Sequence, residues 1–259
     1  MSLIKTREEI EILRVGGALL SRTLREICAT CVAGVTAGDL DAIARKRFDE
    51  HGAIPSFLGY RIRNRGPAYP GALCVSINDE VVHGLPLPHR VIHQGDIVGL
   101  DIGVWWKGLC TDMATTVIVG NTDERTRALV ADTRESLVRA LAVIKADVDV
   151  RRIGATIESF LKPRGYGIVR DLVGHGVGHA VHEEPAIPNW RDPKMGNFLM
   201  KTGMALAIEP MVTLGGWEVL QREDDWTIAT ADGSVAAHFE VTVAVTDQGY
   251  DLLTPWPDR

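Results

Sequence analysis

The stretch Ile97-Val-Gly-Leu-Asp101-Ile-Gly-Val104, running through Trp105-Trp-Lys-Gly108 into Leu109-Cys-Thr-Asp112-Met-Ala-Thr-Thr-Val-Ile-Val119, decides the reading of this chain. Its two arms are rich in β-branched residues and meet at Trp106-Lys107-Gly108, a pattern that predicts an antiparallel hairpin. Each arm carries a carboxylate inside an apolar strand, where a charge without a partner is strongly destabilising. A two-residue turn at Trp106-Lys107 sets Asp101 directly opposite Asp112, and a longer turn makes them diagonal neighbours. Either way two like charges share one sheet and oppose its formation. Neither strand supplies a Lys or Arg to compensate, so a divalent metal pair is the economical answer.

Two more carboxylates sit in the same unusual setting. Glu209 ends Met204-Ala-Leu-Ala-Ile-Glu209 and Glu240 opens Glu240-Val-Thr-Val-Ala-Val245. The apolar runs from Met204 to Val212 and from His238 to Val245 read as further strands. Two Asp, two Glu and one neutral His carry a charge that two divalent cations neutralise. Oxygen-rich ligation with one imidazole suits Mn, Fe, Co or Zn, held about 3.5 Å apart by bridging carboxylates. The histidine is expected from Gly174-His175-Gly-Val-Gly-His179-Ala-Val-His182-Glu-Glu-Pro185. This run lacks the second His of a helical zinc-protease motif, and its glycines lack dinucleotide-binding spacing. The glycines instead allow backbone to press against a crowded site. His83, before Gly84, is a further candidate.

Outward from the hairpin lie two helix pairs. Ile10, Leu13, Leu20, Leu24, Ile27 and Cys31 recur with helical spacing from Thr6 to about Val32, and Thr36-Ala-Gly-Asp39 resembles a capping box opening a second helix that Gly52 stops. The layout returns with Ala128, Leu137, Leu141 and Ile144, a turn around Asp147–Asp149, and Ile153, Ile157 and Leu161 up to Gly165. Leu40 matches Ile153, and Gly52 matches Gly165, at one offset of 113 positions. Each pair is followed by β-rich sequence, which predicts an α+β fold of two related halves with a site between them. We expect one domain over residues 1–259. With 28 basic and 34 acidic residues the net charge is −6, which disfavours a general nucleic-acid binder. No unbroken apolar stretch suggests a signal peptide or membrane span. The four cysteines suit free thiols in a reducing cytoplasm, and Cys28-Ala-Thr-Cys31 lies within the first helical pattern without a second pair to complete a zinc site.

These motifs resemble one family, the type I methionine aminopeptidases. The resemblance runs from Ile4-Lys-Thr6 to Leu253-Thr254 and rests on Ser76-Ile-Asn78, His83-Gly84, Asp101-Ile-Gly103, Thr111-Asp112, Gly174-His175-Gly176, His182-Glu-Glu-Pro185, Ile208-Glu209-Pro210-Met211 and Phe239-Glu240. Only 26 residues separate His182 from Glu209, which fits type I rather than type II. The resemblance implies the pita-bread fold, a pseudo-twofold antiparallel sheet flanked by two helix pairs. It implies two divalent ions (Co, Mn, Fe or Zn) on Asp101, Asp112, His175, Glu209 and Glu240, with Asp112 and Glu240 bridging. Asp101 would complete one ion's ligation, and His175 and Glu209 the other's. Activated water would attack the carbonyl after an N-terminal Met, with Glu209 accepting a proton, His182 bonding the carbonyl oxygen and His83 contacting the scissile nitrogen. Phe57, Tyr60, Tyr69, Cys74 and Trp226 would form the methionine pocket. Implied partners are the N-termini of nascent polypeptides with a small second residue, for a cytoplasmic monomer that binds neither DNA nor membrane.

Two departures stand out. Arg61-Ile-Arg-Asn-Arg-Gly-Pro-Ala68 occupies a place where the family has only a couple of residues; its arginines suggest either ribosomal RNA contact or a solvated loop. Val241 replaces a common His after the last ligand, so hydrogen bonding behind the metals should differ. The competing expectations are an Xaa-Pro aminopeptidase or dipeptidase of the same fold, and a non-catalytic pita-bread protein that binds peptides or RNA.

Overall fold

The central hairpin forms, with its two-residue turn one position later than Trp106-Lys107. In the computed structural model, which describes residues 2–61 and 66–257, strands β4 (Ile97–Trp106) and β5 (Leu109–Ile118) pair antiparallel. The turn is Lys107-Gly108, with φ of 48° and 82°. Both central residues of such a turn need positive φ, which Gly108 adopts freely and the bulky Trp106 resists. Asp101 therefore faces Ala114 and Gly103 faces Asp112, so the two aspartates are diagonal neighbours on one face, not directly opposed.

Helix α1 (Arg7–Thr30) packs on this hairpin, and α2 (Ala37–His51) packs against α1. Both open on capping boxes, Thr6 with Glu9 and Thr36 with Asp39, which satisfy otherwise unpaired backbone donors. Their apolar faces bury Leu20, Leu24, Leu40 and Phe48 against Leu100, Ile102 and Met113. The second pair, α3 (Glu124–Leu141) and α4 (Arg151–Leu161), is extended by a 3-10 turn at Lys162–Arg164. It covers a second core that includes Leu137, Ile153, Leu206 and Val243. Gly52 and Gly165 both end their helical segments in the left-handed region, so the matched positions do the same job in each half.

In the first half β1 (Ile54–Pro55) and β2 (Leu73–Ile77) flank β4, and β3 (Glu80–Val82) follows β2. After the second helix pair come β6 (Gly167–Ile168), β7 (Gly174–Gly176), β8 (Glu183–Ile187), β9 (Ala205–Ile208), β10 (Met211–Thr213), β11 (Val219–Gln221), β12 (Ile228–Thr230), β13 (Ala236–His238), β14 (Val241–Val245) and β15 (Tyr250–Leu252). A five-stranded sheet runs β15-β14-β9-β7-β8, while β13-β10-β6 and β11-β12-β3 make smaller ones. The bridge between Ala114 and Glu240 joins the first half's hairpin to the second half's sheet.

The two apolar runs expected as single strands are each broken. β9 gives way to β10 at Glu209-Pro210, and β13 to β14 at Phe239-Glu240. Pro210 lacks the N–H that would continue a ladder. β9 pairs with β14, and β10 with β13, so both strands change sheet at the same level. Each leaves a glutamate at its break. These elements reproduce the α+β pita-bread arrangement of antiparallel sheet flanked by helix pairs. Among the described residues no helix is long and apolar enough to cross a membrane, and no disulfide links the cysteines.

Candidate metal centre

Where the hairpin meets the two broken strands, five ligand-type side chains converge. Asp101 and Asp112 come from β4 and β5, His175 from β7, and Glu209 and Glu240 from the two breaks. One cavity of about 240 Å³ is lined by all five. Ligand atoms of Asp112, His175 and Glu240 lie within 4.8 Å of one another. His175 Nε2 is 3.5 Å from Glu209 Oε1 and 4.0 Å from Glu240 Oε1. The ring's other nitrogen, Nδ1, lies 2.9 Å from the Gly176 carbonyl, a bond it can make only as a donor. The Nε2 lone pair is thereby presented to the carboxylates.

The charge of this cluster is unpaired. Asp101 Oδ1, Asp112 Oδ1 and Glu240 Oε1 are buried without a hydrogen-bond partner. Among the described residues no Lys or Arg forms an ion pair with any of the four carboxylates. Burial pushes Asp101 up to about 7 and Glu209 up to about 8. Asp112 and Glu240 are raised well above the carboxylate range, by burial first and then by their acidic neighbours. Burial also holds His175 down to about 3, so it stays a neutral ligand. A set of oxygen donors with missing partners and one oriented imidazole fits divalent cations.

The rest of the cavity wall is apolar and aromatic. Tyr69, Cys74 and Trp226 pack as one cluster with Phe57 and Tyr60 against it. Tyr69 stands edge-on to Trp226 at 5.1 Å, and its hydroxyl donates to the Gly84 carbonyl at 2.8 Å. His83, whose backbone has φ of 60°, stands edge-on to Trp226 at 6.4 Å and is held down to about 4 by burial. His182 lies at the mouth, its ring 4.5 Å from that of His175. The structure thus gathers every site residue singled out from sequence around one cavity. Arg63 and Arg65 of the 61–68 stretch lie outside the described residues. A wider groove of about 900 Å³ beside α4 is lined by arginines. Arg151 there pairs with Asp149 at 2.5 Å and Arg139 with Glu135 at 2.7 Å.

The sequence profile of metallopeptidase family M24 matches residues 11–247. The chain belongs to metallopeptidase family M24. It is 41% identical over 254 residues to a methionine aminopeptidase of Clostridium acetobutylicum, covering 98% of this chain and 99% of that one. The crystal structure of a methionine aminopeptidase from Thermotoga maritima superposes with a TM-score of 0.92 at 43% identity, covering 97% of this chain and 98% of the other. An Xaa-Pro dipeptidase from Bacillus anthracis shares the fold, with a TM-score of 0.78 at 24% identity, and this chain covers 63% of its length.

Around this M24 centre stand residues that sequence reasoning did not single out. His238, on β13, places Nε2 3.5 Å from Glu209 Oε2, and that nitrogen has no hydrogen-bond partner. Thr242 Oγ1 accepts from the Asp112 backbone N–H at 3.0 Å and donates to its carbonyl at 2.7 Å. The buried Asn189 side chain donates to the Glu209 carbonyl at 3.0 Å. None carries a charge in an apolar run; His238 and Thr242 each stand two positions from Glu240, whereas Asn189 is near no ligand in the sequence. His182 is held from behind, because the Glu183 carboxylate accepts from the His179 N–H at 2.5 Å and from buried Lys5 Nζ at 2.5 Å.

Proposed function

We propose that this chain is a methionine aminopeptidase, hydrolysing the bond after the N-terminal Met of peptides and nascent proteins. The observation that carries the reading is the set of buried, cation-less carboxylates beside an aromatic, thiol-lined wall within one cavity of about 240 Å³. That volume falls below the about 300–1,000 Å³ of sites for drug-sized ligands, which favours a pocket for a single residue. A thioether gains from contact with aromatic rings such as Phe57, Tyr69 and Trp226.

Asp101, Asp112, His175, Glu209 and Glu240 would hold two divalent ions from the set Mn, Fe, Co and Zn. Bound there, the ions supply Lewis acidity and lower the pKa of an attacking water. Glu209 would accept a proton from the attacking water, a general-base role open to an ionised carboxylate beside it. His182 donates to the carbonyl oxygen as negative charge builds on it. His83, kept neutral, contacts the scissile nitrogen. The substrate's free α-amine would lie at the metal site, which would limit cleavage to one terminal residue. We further propose a single catalytic domain over residues 1–259, a monomer acting in the cytoplasm on nascent chains with a small second residue. The arginines of the 61–68 stretch would form a solvated loop or meet RNA near the ribosome.

A metal-loaded comparison of Met-Ala-Ser with Ala-Pro-Ala tests this reading. Release of Met alone is expected, and cleavage of only the proline peptide would overturn it in favour of an Xaa-Pro enzyme. Asp112→Ala and Glu240→Ala should each abolish turnover. Full activity in either would sink the two-metal mechanism.

A further inference from the structure

His182 has one neighbour able to fix where its ring proton sits. Tyr60 Oη lies 3.0 Å from His182 Nδ1, and the two rings meet edge to face at 5.6 Å. At neutral pH a phenol keeps its proton and an imidazole is mostly uncharged, so the ring then carries a single N–H.

Two arrangements fit the 3.0 Å separation. Either the phenol donates to Nδ1, or an Nδ1–H donates to the phenol oxygen. A phenol is a stronger acid than a neutral imidazole N–H, and an imidazole nitrogen is a far stronger base than a phenol oxygen. The first arrangement pairs the better donor with the better acceptor and leaves the ring proton on Nε2. The main chain around Tyr60 is fixed independently. Its N–H donates to the Phe57 carbonyl at 2.9 Å, its carbonyl accepts from Tyr69 at 2.8 Å, and Gly59 donates to the Tyr69 carbonyl at 2.9 Å. The hydroxyl is thus presented from a braced loop.

We propose that Tyr60 is a positioning residue whose hydroxyl donates to His182 Nδ1, fixing the Nε2–H tautomer and ring orientation in which His182 donates to the scissile carbonyl oxygen. The inference rests on the reading of His182 given above. It adds to Tyr60, otherwise one part of the pocket wall, a role in the reaction that acts through its neighbour.

The test combines nitrogen NMR with kinetics on zinc-loaded, ¹⁵N-histidine-labelled wild type and Tyr60→Phe, since zinc is diamagnetic. In wild type the His182 Nδ1 resonance should be that of an unprotonated nitrogen accepting a hydrogen bond. In Tyr60→Phe it should move toward an unbonded nitrogen. Turnover of Met-Ala-Ser should lose about three- to tenfold in kcat with KM nearly unchanged, the fold-change one neutral hydrogen bond is worth. A proton on Nδ1 in wild type, an unmoved Nδ1 resonance in the variant, or a loss confined to KM would each overturn the proposal. His182→Ala separates this from the parent reading. Full turnover there removes the carbonyl role, whereas the Tyr60 bond stands or falls on the nitrogen resonances.

Discussion

His238 carries no warning in the sequence, because a histidine between Ala237 and Phe239 breaks no rule of strand composition. It meets Glu209 only because β13 pairs with β10, setting His238 beside Met211, two residues past the glutamate. The carboxylates were legible for the opposite reason: Asp101 and Asp112 stand in strands whose other residues demand burial, and that conflict needs a cation. Val241, where the family commonly has His, is fully buried opposite Ile208 and offers no hydrogen bond. In this chain His238 supplies an imidazole from the neighbouring strand instead. Its Nε2, 3.5 Å from Glu209 Oε2, is placed to donate once Glu209 is ionised. Loss of such a partner behind a metal ligand typically weakens metal binding about 10–100-fold. His238→Ala is expected to show that loss by titration calorimetry, and His238→Gln, which keeps a donor, to recover most of it. Unchanged affinity in the alanine variant would remove His238 from the account.

At the level of elements, the helix pairs were readable because helical spacing and end signals sit within a few residues of one another. Strand breaks and register were not, since they depend on partners more distant in sequence. Lys107-Gly108 won the turn over Trp106-Lys107 on backbone conformation, and Pro210 ended a run that hydropathy alone would continue. A tighter constraint holds α4. A methyl group added at Gly154 would sit 2.3 Å from the Pro188 carbonyl oxygen and 2.4 Å from that of Trp190. Backbone cannot yield as a flexible side chain does, so Gly154→Ala should lose about 1–3 kcal/mol. In a chain of this size each kcal/mol lowers Tm by roughly 2–4 °C. Because Asn189 lies between those carbonyls and donates to Glu209, the same variant should also bind metal more weakly. A variant with wild-type Tm would show that the helix can retreat from residues 188–190 without strain.

For the whole molecule, the acidic cavity sets how stability responds to pH and metal. An unfolded chain gives up its carboxylate protons near pH 4, whereas the folded cavity keeps them to about 7 on Asp101 and about 8 on Glu209. The folded state then holds more protons, so this part of the stability of metal-free protein is lost as pH rises through those values. Buried neutral histidines, His83 at about 4 and His175 at about 3, act in the other direction. Their contribution is complete above the unfolded value near 6.5 and fades as pH falls. With Asp112 and Glu240 also held well above the carboxylate range, the decline should therefore begin at about pH 6.5 and continue past about 8. The Tm difference between manganese-loaded and chelator-treated protein should widen over that interval, and a constant difference would contradict the protonated cavity. The placement of α1 has a further consequence for biosynthesis. Ser21 Oγ donates to the Pro255 carbonyl 234 positions later, and Arg25 reaches the Pro257 carbonyl. Helix α1 is made well before this segment, so although it can dock on the hairpin it packs against, these two bonds form only once residues 255–257 are present. Chains stalled before residue 250 should accordingly leave the Ser21–Arg25 side of α1 more open to protease than chains that include residues 250–257.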